Sequence, residues 1–137
     1  MTREATSITR INPPELGAPP GYSQIVDVTA GRIIFISGQT ALDSDGNLVG
    51  KNDFAAQAAQ VFRNLAVALQ ARGCDAATLV KLTVFLTDMD HLGLYREARN
   101  QFFASVTPAA APAVTLVEVS KLYGPDFMIE IEAIAAV

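Results

Sequence analysis

The sequence predicts an α+β protein in which two helices pack on one face of a single β-sheet. β-rich runs open the chain, and two amphipathic helical segments then alternate with further β-rich runs. The chain has 137 residues, of which 50% are hydrophobic and 18% are charged. Such a chain is long enough to bury a core and too apolar to be disordered. We therefore expect one domain over residues 1–137.

The first third of the chain predicts a lead-in followed by a β-hairpin. Residues 1–20 carry four prolines among small and polar residues, which favours irregular structure. β-rich runs at 22–29 and 32–37 flank Ala30-Gly31, a spacing typical of two paired strands. The continuous apolar run from Ile33 to Ile36 indicates that the second strand is covered on both faces.

Two helices are predicted where apolar residues recur at helical spacing. The first follows a cap at Asn52 or Asp53 and ends near Gly73, which suits a C-terminal cap. The second covers residues 92–106 and follows the capping candidates Asp88 and Asp90.

Three further strands are predicted at 80–87, 113–119 and 127–135. One side of each of the last two strands mixes apolar side chains with carboxylates. A sheet face of this kind is typical of a subunit interface with a polar pocket, so the pattern predicts self-association. The mixed sets are Met128, Glu130, Glu132 and Ile134 in the last strand and Val114, Leu116 and Glu118 in the strand before it.

Residue counts exclude several kinds of catalytic site. Cys74 is the single cysteine and His91 the single histidine, which excludes a cysteine zinc site, a multi-histidine metal site and a relay of two histidines. Ser37 precedes Gly38 but lacks the surrounding Gly-x-Ser-x-Gly pattern of a nucleophile, so a hydrogen-bonding role is favoured. We expect no metal site.

Charge and hydropathy narrow the choice of partner and location. The formal net charge of −4 argues against nucleic acid as a partner. No apolar run approaches the ~20 residues that a membrane span needs. The segment from Met1 to Pro20 lacks the apolar core of a signal peptide. We therefore expect a cytoplasmic protein that binds neither nucleic acid nor membrane.

Four segments, taken in order, resemble the RidA (YjgF) family. Their order and spacing match the family nearly end to end, from about Ile11 to Val137. The resemblance implies a chorismate-mutase-like fold and a homotrimer whose sheets form a central barrel, with ligand clefts between subunits. The four segments are Tyr22-Ser23-Gln24, Ile36-Ser37-Gly38-Gln39, the strand Val80 to Leu86, and the strand Ile129 to Ala135.

The resemblance also implies a function and its residues. The family's best-known members hydrolyse reactive enamines and imines of amino acids to 2-oxo acids and ammonia, without metal or organic cofactor. By this resemblance, Tyr22 lines the cleft for a small-molecule ligand, Ser37 and Gly38 contact the substrate, and Glu130 is the catalytic residue that positions water.

The chain departs from the family's deaminases at the contact with the substrate carboxylate. Their arginine in a Pro-Ala-Arg stretch is Val114 here, and a frequent cysteine two positions later is Leu116. A frequent asparagine in the second helix is Arg96, with Arg99 one turn on. Either arginine could replace the anchor if it reaches the cleft, and the alternative is a solvated helix face. We expect altered or weak activity on 2-imino acids, because valine donates no hydrogen bond.

Two other functions remain open at this point. A non-catalytic trimer that binds or senses a metabolite would also suit a cleft made more apolar by Val114 and Leu116. RNA cleavage, attached to some family names, fits less well because the chain is acidic and has no basic stripe or histidine pair.

Overall fold

The structure is a computed structural model that describes residues 5–106 and 111–137. These residues form six strands, two α-helices and short 3-10 turns. The first four residues of the predicted lead-in lie outside the described ranges. The strands are β1 (Ser7–Ile11), β2 (Ile25–Thr29), β3 (Ile33–Gln39), β4 (Leu79–Leu86), β5 (Ala113–Glu118) and β6 (Ile129–Ala136), and the helices are α1 (Phe54–Gln70) and α2 (Leu92–Phe103).

Four strands form the main sheet, in the order β3-β6-β4-β5. β6 runs antiparallel to both of its neighbours, whereas β4 and β5 are parallel. The core lies between one face of this sheet and the two helices, where Leu82, Ile131 and Leu65 are fully buried. The predicted α+β class, with both helices on one sheet face, is confirmed.

The expected lead-in, hairpin and single sheet are wrong. β1 lies inside the predicted lead-in and pairs antiparallel with β2 as a separate two-stranded sheet. β2 therefore does not pair with β3, which instead pairs with β6. All four prolines of the lead-in follow Ile11, so their abundance obscured a five-residue strand that ends before the first of them.

Helix α1 begins where the sequence places its cap and also orders the start of β6. The Asp53 carboxylate accepts a hydrogen bond from the Ala56 backbone N–H at 3.1 Å. The fully buried Gln57 donates to the Asp126 carbonyl at 2.8 Å and accepts from the Met128 N–H at 2.9 Å. These two bonds fix the chain just before Glu130 enters the sheet.

Helix α2 is shorter than predicted and lies close to β5. Asp88 caps the 3-10 turn that precedes the helix by accepting from the Asp90 N–H at 2.9 Å. The helix ends at Phe103 rather than at residue 106. Tyr95 is only 1% exposed, and its ring stacks near Phe62 of α1 with the ring centroids 6.2 Å apart. In the described residues, neither helix is both long and apolar enough to span a bilayer.

Strand register assigns the predicted site residues to opposite faces of the main sheet. Val114 pairs with Leu82, which is buried beneath the helices, so Val114 lies on the helix-covered face. Glu130 pairs with Phe85 on the other, open face. The two mixed sets expected from the sequence therefore do not share a face. Their alternation was assigned correctly within each strand, but the register between strands was not available from the pattern.

Candidate active site

Glu130 and Gly38 meet at a break in the pairing of β3 with β6. Ile36 pairs with Ala133 and Gln39 pairs with Ile131, so the interval between these pairs holds one extra residue on β3. Such a bulge bends the strand and redirects its side chains, and bulges often lie beside functional sites. Ser37 and Gly38 occupy this interval. We call Ser37, Gly38 and Glu130 the Glu130 face.

Gly38 lets the carboxylate come unusually close to the backbone. A Cβ atom at position 38 would lie 2.8 Å from Glu130 Cδ and 2.9 Å from its Oε2. Burial raises the pKa of Glu130, and the negative charge of Glu132 raises it further. The side chain is a carboxylate held against strand backbone, in a position to accept a hydrogen bond from water or substrate.

The second group of predicted residues lines a cavity between α2 and β5, which we call the α2 cavity. It encloses about 250 Å³. Val114 and Leu116 form its β5 wall, and Leu92 adds an apolar side chain from α2. The remaining lining residues are Pro20, Tyr22, Tyr95, Arg96 and Arg99.

Tyr22 reaches this cavity because its neighbour Ser23 is fixed to the edge of the sheet. Ser23 is 2% exposed and forms an isolated parallel bridge with Ala113. Its N–H donates to the Pro112 carbonyl at 3.1 Å, and its hydroxyl donates to the Ala111 carbonyl at 2.5 Å. Tyr22 is thereby held beside Val114, although the two residues are far apart in sequence.

Both arginines of α2 line the cavity, which answers the question that the sequence left open. Arg96 is exposed at its rim, whereas Arg99 is only 9% exposed. The Arg99 guanidinium lies 5.9 Å from the centre of the Tyr95 ring. The expectation of a solvated helix face is therefore wrong for Arg99. The helical pattern could not reveal this, since the covering segment at Pro20 and Gly21 comes from a distant part of the chain.

Tyr95 was assigned to the apolar core by its helical spacing, and its site role was missed. Its hydroxyl is buried and has no hydrogen-bond partner among the described residues. Burial raises the pKa of Tyr95 to about 12, against the opposing effect of the Arg99 and Arg96 charges. The group is therefore a neutral hydroxyl near pH 7 and can donate a hydrogen bond to a ligand.

The predicted site residues thus fall into two clusters. Tyr22, Arg96, Val114 and Leu116 line the α2 cavity on the helix-covered side of the sheet. Gly38 and Glu130 meet on the open side, beside Ser37. Within one protomer the sheet separates the clusters. No group of three or more metal-ligating side chains occurs in residues 5–106 and 111–137.

Comparison with known proteins decides the family. The family model described as Endoribonuclease L-PSP matches residues 14–137. The chain belongs to the RidA (YjgF) family. A RidA-family relative, the human 2-iminobutanoate/2-iminopropanoate deaminase, is 37% identical over 119 residues, which cover 87% of this chain and 82% of the relative.

Solved structures of RidA-family proteins share the fold. The Rid protein YyfB from Yersinia pestis, described as of unknown function, superposes with a TM-score of 0.85 at 31% identity, covering 95% of this chain and 98% of that one. TdcF from E. coli, solved with bound serine, gives a TM-score of 0.71 at 33% identity, covering 88% and 91%. These likenesses extend over nearly the whole chain.

Proposed function

We propose that this RidA-family protein hydrolyses small imines without a cofactor, in clefts formed between the subunits of a homotrimer. Each cleft would combine the α2 cavity of one protomer with the Glu130 face of the next. The observation that carries the proposal is the placement of Glu130 and Val114 on opposite faces of one sheet. A single protomer cannot present both groups to one ligand.

The shape of the protomer supports a closed ring. The Glu130 face lies beside β3, at one edge of the main sheet, and the α2 cavity lies at β5, the other edge. Contacts between two different surfaces repeat from subunit to subunit and close into a ring when the rotation permits. The open face also exposes apolar side chains, with Phe35 77% and Ile33 45% exposed. A central barrel of sheets would bury them.

The chemistry requires little of the protein because imines hydrolyse readily in water. Water adds to the C=N carbon, its proton passes to the nitrogen, and the C–N bond breaks to leave a carbonyl compound and ammonia. Glu130 would orient the water, accept its proton and return it to the departing nitrogen. The hydroxyls of Tyr22 and Ser37 would hold the substrate beside it. No step calls for a metal or an organic cofactor.

Val114 alters the substrate range of this reaction. In the deaminases that the sequence resembles, an arginine at this position grips the carboxylate of a 2-imino acid. Loss of a charged hydrogen bond costs about 1.5–3 kcal/mol, and desolvation of the carboxylate beside valine adds to it. We propose low activity on short 2-imino acids, by roughly two to three orders of magnitude in kcat/KM.

A non-catalytic ligand-binding trimer is the second candidate. The apolar β5 wall of the cavity, formed by Val114 and Leu116, favours it, since such a wall binds a metabolite without assisting its hydrolysis. The TdcF structure with bound serine shows that a relative binds a small molecule. RNA cleavage receives no support from the net charge of −4.

The discriminating experiment measures ammonia release from imines generated in place by an amino-acid oxidase. Imines from alanine, leucine and phenylalanine, together with a neutral imine of benzaldehyde and ammonia, sample both charge and size. We expect acceleration of at least one of them by the wild-type protein and its loss in Glu130→Gln. Equal rates for the wild type, Glu130→Gln and buffer would favour the non-catalytic function instead.

A further inference from the structure

We infer that Arg99, together with Arg96 and the Tyr95 hydroxyl, forms an anion site on α2 that binds the carboxylate of an acid with an apolar body. This inference deepens the proposed function, and it rests on that function only for the role of the cavity as the substrate site. The site lies on the helix wall of the α2 cavity, opposite Val114 and Leu116.

The guanidinium of Arg99 has donors to spare. It carries five N–H donors, of which Nε–H and one on Nη2 reach the Asn100 amide oxygen, at 3.3 and 3.2 Å, so three remain. Among residues 5–106 and 111–137, no carboxylate forms an ion pair with it. A planar guanidinium with free donors is suited to a bidentate contact with a carboxylate.

The surroundings hold this guanidinium in one place. A Cβ atom at Gly21 would lie 2.7 Å from Arg99 Nη2, and Gly21 has the left-handed φ of +80° that favours glycine. The Tyr95 ring supports the guanidinium from the α2 side at 5.9 Å. Arg99 is therefore positioned before any ligand arrives, which lowers the entropic cost of binding.

The Tyr95 hydroxyl is the independent sign of a ligand. Its side chain is 99% buried, because only 1% of its surface is exposed, and it lines the cavity without a hydrogen-bond partner among the described residues. Buried polar groups in native proteins nearly always have a partner. A carboxylate bound to Arg99 would supply that partner and would accept its hydrogen bond.

The position of the anion site defines the ligand class. An arginine at position 114 would hold a carboxylate at the β5 wall, whereas Arg99 holds it at the α2 wall. The β5 wall is left to Val114 and Leu116, which suit a branched or aromatic hydrocarbon body. The cavity thus selects monocarboxylates with such a body over the short acids that lack one.

Calorimetric titration with a matched pair of probes tests this assignment. 4-Methylpentanoate and 4-methylpentanamide have the same heavy-atom count and differ in charge. We expect the wild type to bind the acid roughly ten- to a hundredfold more tightly than the amide. Arg99→Gln should remove this preference, and Tyr95→Phe should reduce it several-fold. Arg72→Gln, which removes an equal charge at an exposed site outside the cavity, should leave it unchanged.

Light scattering on each variant checks that the assembly is unchanged. Equal affinity of the wild type for acid and amide, or a preference that survives Arg99→Gln, would overturn the anion site. Loss of the wild-type assembly in Arg99→Gln, together with no preference in the wild type, would also overturn it, because Arg99 would then pair across a subunit interface.

The two proposals fail in different ways. An Arg99-dependent preference for the acid without any imine hydrolysis would support the anion site and contradict the proposed function. Hydrolysis that depends on Glu130 but is indifferent to Arg99, for charged and neutral imines alike, would do the reverse.

Discussion

The Glu130 carboxylate packs directly against the backbone of Gly38. A methyl group at position 38 would come within 2.8 Å of Glu130 Cδ, closer than side-chain carbons approach one another. The contact exists because β3 bulges between Ile36 and Gln39 and because glycine occupies the bulge. The orientation of the proposed catalytic carboxylate therefore depends on the absence of a side chain on the neighbouring strand.

Gly38→Ala should displace the carboxylate and lower imine hydrolysis by about a hundredfold, the effect of moving a reacting group by ~1 Å. Folding should be nearly unaffected, since the end of a flexible glutamate side chain can move away. Gly93→Ala is the control, because nothing lies within 4 Å of a Cβ at that position. Steady-state kinetics and thermal unfolding of both variants separate the two effects, and unchanged activity in Gly38→Ala would contradict the role given to the contact.

The rate should fall at the acidic end of the pH profile, and Glu132→Gln should move this fall to lower pH. Burial and the Glu132 charge both raise the pKa of Glu130, so the active carboxylate is lost on acidification at a higher pH than for an ordinary glutamate. Removing the charge of Glu132 lowers that pKa. Profiles of kcat/KM for the wild type, Glu132→Gln and the exposed-site control Glu97→Gln test this. A shift to higher pH in Glu132→Gln would contradict the assigned coupling.

Val114→Arg should raise kcat/KM for the imines of alanine and 2-aminobutanoate by tenfold or more, because it restores a bidentate donor at the β5 wall. Val114→Met, which changes the size of the side chain without adding a donor, serves as the control. Amino-acid-oxidase coupling with ammonia detection measures the change. A fast wild-type enzyme that Val114→Arg leaves unaltered would show that short acids are already anchored elsewhere, and Arg96 and Arg99 would then be the residues to substitute.

Phe35→Glu should convert the proposed trimer to monomers, since it places a charge on an open-face residue that is 77% exposed in the protomer. Leu94→Glu, on α2 and 40% exposed, changes a comparable apolar residue on the opposite side of the molecule and should leave the mass unchanged. Light scattering at micromolar concentration gives the result. A wild type with the mass of a monomer would contradict the proposed assembly.

Local patterns predicted the main sheet and both helices because the core imposes them. β4 alternates over eight residues, and its Leu79, Leu82, Val84 and Leu86 are fully buried. The Asp53 cap was likewise readable, since its bond spans three residues. What failed was strand pairing: β1 and β2 are joined by a long irregular connection, and no local signal names the partner of a strand.

The candidate site was predictable in its residues and not in its arrangement. The family resemblance supplied Tyr22, Gly38 and Glu130, yet their separation by the sheet depends on register. Arg99 and Tyr95 were read as a helix surface and a core residue. Their shared cavity forms because Ser23 bonds to the start of β5 and brings the segment before it across α2.

The most direct test of the shared cleft is complementation between two inactive variants. Glu130→Gln damages one half of the cleft, and Val114→Trp fills the other. Co-expression with different tags yields hybrid trimers, and each variant alone must retain the trimeric mass. If every cleft takes one half from each of two neighbours, random hybrids should regain about one quarter of the wild-type rate of imine hydrolysis. Hybrids as inactive as the parent variants would place the whole site in one protomer and contradict the account.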